Sequence, residues 1–212
     1  MVSLYLADVS YLPDPLERKE VCKSLPRERQ EKIRRQGNYD HRRQSLGAGL
    51  LLQRVMKHYG ISEDKLGVGP QGKPECEGLH FNLSHSGRLV ACAVGEGPVG
   101  CDVEMIREAP KKVANRFFAE QEKAYLQACS TKQYDEEFYR LWTMKESYVK
   151  FTGEGMYLPL NAFEILMEDR ISVLRGGEAW NCHIKEYHVP GYAVCVCAEE
   201  TDFADIIWEK LI

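Results

Sequence analysis

Asp102 and Glu104 stand two residues apart in Gly100-Cys-Asp-Val-Glu104. A strand points residues i and i+2 to the same side, so these carboxylates share one face, about 7 Å apart at ~3.3 Å per residue. Val99, Cys101, Val103 and Met105 then face a core. Like charges side by side on a half-buried strand repel. A hard cation such as Mg2+ offsets that cost, because it takes one or two protein carboxylates together with oxygens of a bound phosphate. In Trp142-Thr-Met-Lys-Glu146-Ser-Tyr-Val-Lys150, Glu146 supplies a third oxygen donor. Lys150, one helical turn on, adds a fixed positive charge. Taken alone, Glu146 and Lys150 are an i, i+4 surface ion pair worth ~0.3–0.5 kcal/mol.

Two further segments carry chemistry-bearing side chains. Gly72-Lys73-Pro74 holds one cation in a rigid turn, a pattern that surface turns also show. Phe81-Asn-Leu-Ser84-His85-Ser86-Gly87 places an imidazole between two hydroxyls at the end of a strand, where it can donate to phosphate oxygens. A lone histidine there is more often an ordinary turn residue.

The elements that must position these residues follow from periodicity. Residues 2–9 alternate as a first strand. Pro26 opens a charged helix to about Gln36. Asp40 caps a second helix, His41 to Tyr59, whose apolar stripe is Leu46, Leu50, Leu51, Val55 and Met56 and which Gly60 closes. Residues 67–78, rich in Gly and Pro, read as a loop. Strands at Leu79–Ser84, Leu89–Val94 and Val99–Glu104 follow at spacings that suit an antiparallel meander. Helices at Lys111–Phe118, Glu120–Cys129 and Asp135–Phe151 come next, then strands at Ala162–Met167, Trp180–Val189 and Tyr192–Ala198. The element order, strand, helices and three strands, then helices and three strands, reads as an α+β fold of two similar halves, each a small antiparallel sheet packed with helices. Residues 1–105 form the first half and 106–212 the second.

Composition narrows the class. Of 212 residues, 44% are hydrophobic and 28% charged, the balance of a soluble globular chain. No apolar run approaches the ~20 residues that span a bilayer, and Met1–Ser10 meets a charge at Asp8 without a basic start, so it reads as a strand and not a signal peptide. The eight cysteines include no C-x2-C pair, so they read as buried free thiols of a cytoplasmic protein. Alternation in a terminal strand accounts for Cys195-Val-Cys197 better than a redox or metal pair. Net charge is −4. Between Glu17 and Arg43, however, ten Lys/Arg face five Asp/Glu, an anion-attracting stretch in an otherwise acidic chain. Such a stretch commonly forms a solvated helical face or a nucleic-acid patch, and no aromatic interleaving supports the second.

Taken together and in order, Gly72-Lys-Pro74, Phe81-Asn-Leu-Ser-His-Ser-Gly87, Gly100-Cys-Asp-Val-Glu104, Arg116-Phe-Phe118 with Glu122, and the Trp142–Lys150 segment resemble the 4′-phosphopantetheinyl transferases of the surfactin-synthetase-activating type. The likeness extends to Arg29, Lys32 and Arg43 and to Gly155-Met-Tyr-Leu-Pro-Leu160. It implies a pseudo-twofold pair of halves with the active site at their interface, and a monomeric, Mg2+-dependent enzyme of the holo-[acyl-carrier-protein] synthase kind. Such an enzyme moves the 4′-phosphopantetheine arm of coenzyme A to a serine of an apo acyl or peptidyl carrier protein and releases adenosine 3′,5′-bisphosphate. By matching position the metal ligands are Asp102, Glu104 and Glu146. The coenzyme A contacts are Arg29, Lys32, Arg43, Lys73, Pro74, Ser84, His85 and Lys150, with Arg43 on the 3′-phosphate. Lys150 and His85 stabilise developing charge, and either Glu122 or Glu146 is the general base. The net charge and the lack of a long apolar run point to no nucleic-acid or membrane partner, and the carrier surface is expected in the second half, around residues 111–135. A catalytically silent coenzyme A or carrier binder and a nucleic-acid-binding protein are the alternatives from other classes. Transfer to an apo carrier and a salt-sensitive gel shift separate them.

Overall fold

The computed structural model describes residues 1–69, 73–168 and 170–212. Its strands and helices run β1 (Ser3–Asp8), α1 (Arg27–Arg35), α2 (Tyr39–His58), β2 (Leu66–Val68), β3 (Pro74–Cys76), β4 (His80–Ser86), β5 (Leu89–Gly95) and β6 (Val99–Met105). They continue with α3 (Lys111–Phe117), α4 (Glu120–Ala128), α5 (Thr131–Thr152), β7 (Phe163–Met167), β8 (Ile171–Arg175), β9 (Glu178–Ala179), β10 (His183–Glu186), β11 (Tyr192–Ala198) and β12 (Ile207–Trp208). This is the α+β architecture expected from the alternation of helical and strand periods.

Two sheets carry the fold, in the orders β12-β1-β5-β4 and β10-β11-β6. In each, a leading strand (β1, β6), a long helix (α2, α5) and a hairpin (β4-β5, β10-β11) follow in that order, and the second hairpin strand lies at the centre. The meander expected for residues 79–104 is therefore corrected. β4 and β5 form a hairpin, but β6 leaves them and pairs antiparallel with β11, Asp102 opposite Cys195 and Glu104 opposite Ala193. By pairing, the change of sheet falls between Gly95 and Val99 and not after residue 105. Pairing with a partner some ninety residues downstream leaves no local sequence signal.

Three buried clusters hold the layers together. One lies between α2 and the first sheet, built on Leu46, Leu51, Val55, Tyr5 and Cys92. Another lies between α5 and the second sheet, with Phe118, Phe138, Met144, Tyr148 and Phe163. The third fills the space between the two sheets, where Leu4, Leu6 and Ala91 meet Val99, Cys101, Val103 and Val194. Val99, Cys101 and Val103 face this core as expected, but Met105 at the strand end is 36% exposed. Asp102 is itself buried, because α5 crosses its face.

That crossing depends on Gly100. A Cβ there would collide with the backbone of α5 at Ser147 O and Phe151 N. Neither atom can swing aside, so Gly100→Ala is expected to cost about 1–3 kcal/mol. A thermal melt checks it, at roughly 2–4 °C lost per kcal/mol for a chain of this size. An unchanged melting temperature contradicts the close packing.

Other element ends differ from expectation for identifiable reasons. α2 begins at Tyr39, because the Asn38 side chain accepts from the Asp40 and His41 amides, and Asp40 sits in the first turn. α5 begins a turn early at Thr131, where Gln133 reaches back to Ser130. Within the expected loop, β2 and β3 pair antiparallel, Leu66 opposite Cys76, and Gly72 of the Gly-Lys-Pro turn lies outside the described residues. β8 was not expected. The expected strand 180–189 is interrupted by a turn, in which Cys182 N donates to Trp180 O. Six of the eight thiols are buried, Cys195 and Cys197 among them.

Candidate active site

The edges of the two sheets meet along β4 and β6, and side chains replace the backbone ladder there. Asn82, Ser84 and Ser86 project from one face of β4 at the strand period. Asn82 Oδ1 accepts from Cys101 N at 3.0 Å, Ser84 Oγ from Val103 N at 3.3 Å and Ser86 Oγ from Met105 N at 3.1 Å. Each serine then sends its single proton to a carboxylate. Ser84 Oγ donates to Asp102 Oδ1 at 2.7 Å, and Ser86 Oγ donates to Glu104 Oε2 at 2.6 Å.

Lys150 completes the row from α5. Its ammonium has three protons and three partners: Asp102 Oδ1 at 2.6 Å, Cys101 O at 3.1 Å and Ser84 Oγ at 3.2 Å. Burial pulls its pKa down, but the Asp102 charge and the Asp102 hydrogen bond more than restore it, so it is held above the ordinary lysine value. Burial raises Glu146, and the charge of Asp102 raises it further. Burial also raises Glu104, against the pull of the Ser86 hydrogen bond. Asp102, Glu104 and Glu146 thus feel one another's charge.

Two clefts open on either side of this row. One, of about 690 Å3, is lined by Arg29, Lys32, Arg43, His85 and Glu104. The other, of about 880 Å3, is lined by Lys73, Glu146 and Lys150 with the apolar surfaces of Phe117, Trp142 and Leu158. The cleft walls and the Lys150 charge hold His85 below its ordinary value. Burial lowers Arg29, Lys32 and Lys73, and Arg29 adds to the effect on Lys32. The expected anion-binding residues are therefore brought together in part. Arg29, Lys32, Arg43 and His85 share the first cleft, whereas Lys73 faces the second. Pro74 lines a narrower cavity of about 200 Å3 beside β2, together with Arg29 and Lys32. Arg43 is partly engaged already, donating to Ser10 O at 2.7 Å and Asp40 Oδ1 at 2.6 Å beneath the Tyr39 ring.

Two expected roles do not fit their surroundings. Glu122 is 3% exposed, and both its oxygens are used. Oε1 accepts from Lys145 Nζ at 2.6 Å and Ile165 N at 2.8 Å, and Oε2 accepts from Ala119 N at 2.8 Å. It ties α4 to α5 and β7 and has no oxygen open to a partner's serine. Ser84 is 7% exposed, and its one proton goes to Asp102 and not to the clefts.

Among the described residues, no three His, Cys, Asp or Glu side chains by themselves enclose a metal ion. One observation nevertheless fits a hard cation. Asp102 Oδ2 is buried without a hydrogen-bond partner among the described residues, which is costly for a carboxylate oxygen. An all-oxygen donor set that is incomplete without further ligands suits Mg2+, which keeps waters and takes substrate phosphate oxygens.

An acidic row, buried at Asp102, between a cationic cleft and an apolar one is an arrangement for phosphoryl chemistry on a ligand that is charged at one end and greasy at the other. Sequence comparisons agree. Residues 98–197 match the 4′-phosphopantetheinyl transferase superfamily. The chain is 35% identical to a 4′-phosphopantetheinyl transferase of Bacillus subtilis over 94% of its own length and 95% of the relative's. It is 34% identical to 4′-phosphopantetheinyl transferase Sfp of B. subtilis strain 168, over 93% of each. Among solved structures, a holo-(acyl-carrier-protein) synthase of Bacillus anthracis in complex with coenzyme A aligns with 47% of this chain and 92% of its own, at 19% identity and a TM-score of 0.41. The chain belongs to the 4′-phosphopantetheinyl transferases and is an enzyme of that family. Within it, the full-length relatives place it in the surfactin-synthetase-activating type.

Sequence reasoning missed several residues that the structure brings to the site. Asn82 and Ser86 stitch β4 to β6, and Phe117 and Trp142 wall the second cleft. The first two were visible as a period-2 polar face opposite the Asp/Glu strand. Trp142 was visible as the opening residue of the Trp142–Lys150 segment.

Proposed function

We propose that the protein transfers the 4′-phosphopantetheine group of coenzyme A to a serine of an apo acyl or peptidyl carrier protein, with Mg2+, and releases adenosine 3′,5′-bisphosphate. The observation that supports it is the row Glu104, Asp102 and Glu146, which runs from the cationic cleft to the apolar one with an orphaned carboxylate oxygen at its centre. In this reading the nucleotide and its 3′-phosphate lie among Arg29, Lys32, Arg43 and His85, and the pantetheine arm runs toward Phe117 and Trp142.

Asp102, Glu104 and Glu146 would hold the cation, which when bound supplies charge neutralisation to the diphosphate. The chain's own groups do the remainder. The carrier serine oxygen forms a bond to the arm-bearing phosphorus as the bridging phosphorus–oxygen bond breaks, and adenosine 3′,5′-bisphosphate leaves. Glu146 accepts the serine proton directly or through water. Lys150 keeps positive potential beside the transferred group, and His85 offers an N–H to it. Positioning and charge compensation carry such a reaction, and no nucleophile from the enzyme is required. Both walls of the site come from one chain, which suits a monomer, and the unpaired thiols suit the cytoplasm. Among the described residues, no helix is long and apolar enough to cross a membrane.

Incubation with coenzyme A, Mg2+ and a panel of apo carriers, read by intact mass, tests this reading. One added arm on at least one carrier is expected, and unmodified carriers throughout contradict it. Arg43→Ala is expected to raise KM for coenzyme A about tenfold, the size of one charge-assisted hydrogen bond, and to leave KM for 3′-dephospho-coenzyme A nearly unchanged. Equal effects on both substrates remove Arg43 from the 3′-phosphate.

A further inference from the structure

Beyond joining β4 to β6, Ser86 is the only described side chain that hydrogen-bonds Glu104. Its hydroxyl sits between two fixed partners, accepting from Met105 N at 3.1 Å and donating to Glu104 Oε2 at 2.6 Å. A hydroxyl has one proton and two lone pairs. With a backbone amide of β6 holding one lone pair, the proton is aimed at the Glu104 carboxylate on that same strand. The amide fixes the hydroxyl, and the hydroxyl fixes one oxygen of Glu104. Ser84 does the same for Asp102 one step earlier on the same two strands. The device therefore repeats at the strand period, and the β4–β6 seam is built from it.

We infer that Ser86 is a positioning residue that holds Glu104 in a ligating rotamer and so tightens the divalent-cation site. The inference rests on the metal reading above and deepens it. Glu104 is the member of the acidic row that opens to the cationic cleft. Without a fixed partner its side chain can turn toward the nearby arginines of that cleft, Arg107 among them. Outer-shell partners of metal-binding carboxylates typically contribute 10–100-fold to metal affinity.

The test is a calorimetric titration of Mn2+ into the enzyme saturated with adenosine 3′,5′-bisphosphate, which reads metal binding without turnover. Ser86→Ala is expected to weaken Mn2+ binding by about 10-fold or more. Ser86→Thr, which keeps the hydroxyl, is expected to bind as the parent does. At saturating Mg2+, the KM for an apo carrier stays at the parent value in both. If the alanine variant does not fold, Ser86→Cys, of similar shape and with a weaker donor, gives the same comparison. A purely structural role for Ser86 lowers the melting temperature of these variants and leaves the metal affinity alone, and that result overturns the inference. Asp102→Ala in the same titration separates the two levels. If it abolishes Mn2+ binding while Ser86→Ala binds normally, only the role of Ser86 falls. If the parent itself binds no Mn2+, the metal reading falls and the inference with it.

Discussion

Asp102→Ala is expected to lose transfer activity by about 10^3-fold, ~4 kcal/mol in transition-state stabilisation, and to remain folded. The loss follows from position. Asp102 is the buried centre of the acidic row, with Lys150 and Ser84 on one oxygen and nothing on the other among the described residues. Its removal takes away the orphaned oxygen and leaves Lys150 without a countercharge, so a bound diphosphate meets an uncompensated ammonium where an ordered ion pair stood. The fold survives because β6 is held by its ladder to β11 and by the amide contacts of Asn82, Ser84 and Ser86, none of which uses the Asp102 side chain. Lys150 keeps 27% of its side chain exposed and can rehydrate. Transfer of fluorescent coenzyme A to an apo carrier measures the activity, and a thermal melt measures the fold. A variant that turns over near the parent rate removes Asp102 from the reaction, and one that is inactive because it is unfolded makes its role structural.

Lys145→Met is expected to cost about 3–5 kcal/mol of stability, the penalty for leaving one partner of a buried ion pair behind. Lys145 is wholly buried, donating to Glu122 Oε1 at 2.6 Å and to Phe163 O at 2.8 Å above the Phe163 ring. Methionine fills the space but strands the Glu122 carboxylate in the core. The stranded carboxylate has a folded-state pKa above its unfolded value. Stability is then present below the unfolded pKa and lost as pH rises through the folded one, so the deficit against the parent is smaller at pH 5 than at pH 8. Adding Glu122→Gln to Lys145→Met is expected to recover part of the loss, because the charge is gone. Chemical denaturation at the two pH values measures this. A deficit below ~1 kcal/mol that is flat with pH contradicts the account, and Glu122 would again be free for a chemical role.

The sequence made the chemistry more legible than its surroundings. The i, i+2 spacing of Asp102 and Glu104 was enough to place them on one face, and the structure keeps them there. The strand next to them was not legible, since β6 finds β11 across the whole second helical layer, and only the packed sheets decide between that and a meander. Glu122 and Lys145 look like surface residues by type. Helical periodicity held the warning, because Lys145 falls between Leu141 and Tyr148 on the buried stripe of α5. An ammonium there needs a carboxylate, and Glu122 is that carboxylate. Ser84 and His85 were read alike as coenzyme A contacts, but adjacent strand residues face opposite sides. Ser84 turns to the seam while His85 turns to the cleft.

The most direct measurement is a crystal of the enzyme with coenzyme A and Mn2+, probed by anomalous scattering. The account calls for a single peak within ligating distance of Asp102 Oδ2 and of the diphosphate, flanked by Glu104 on the nucleotide side and Glu146 on the other. A diphosphate seated with no ion, or an ion bound with the three carboxylates turned from it, contradicts it.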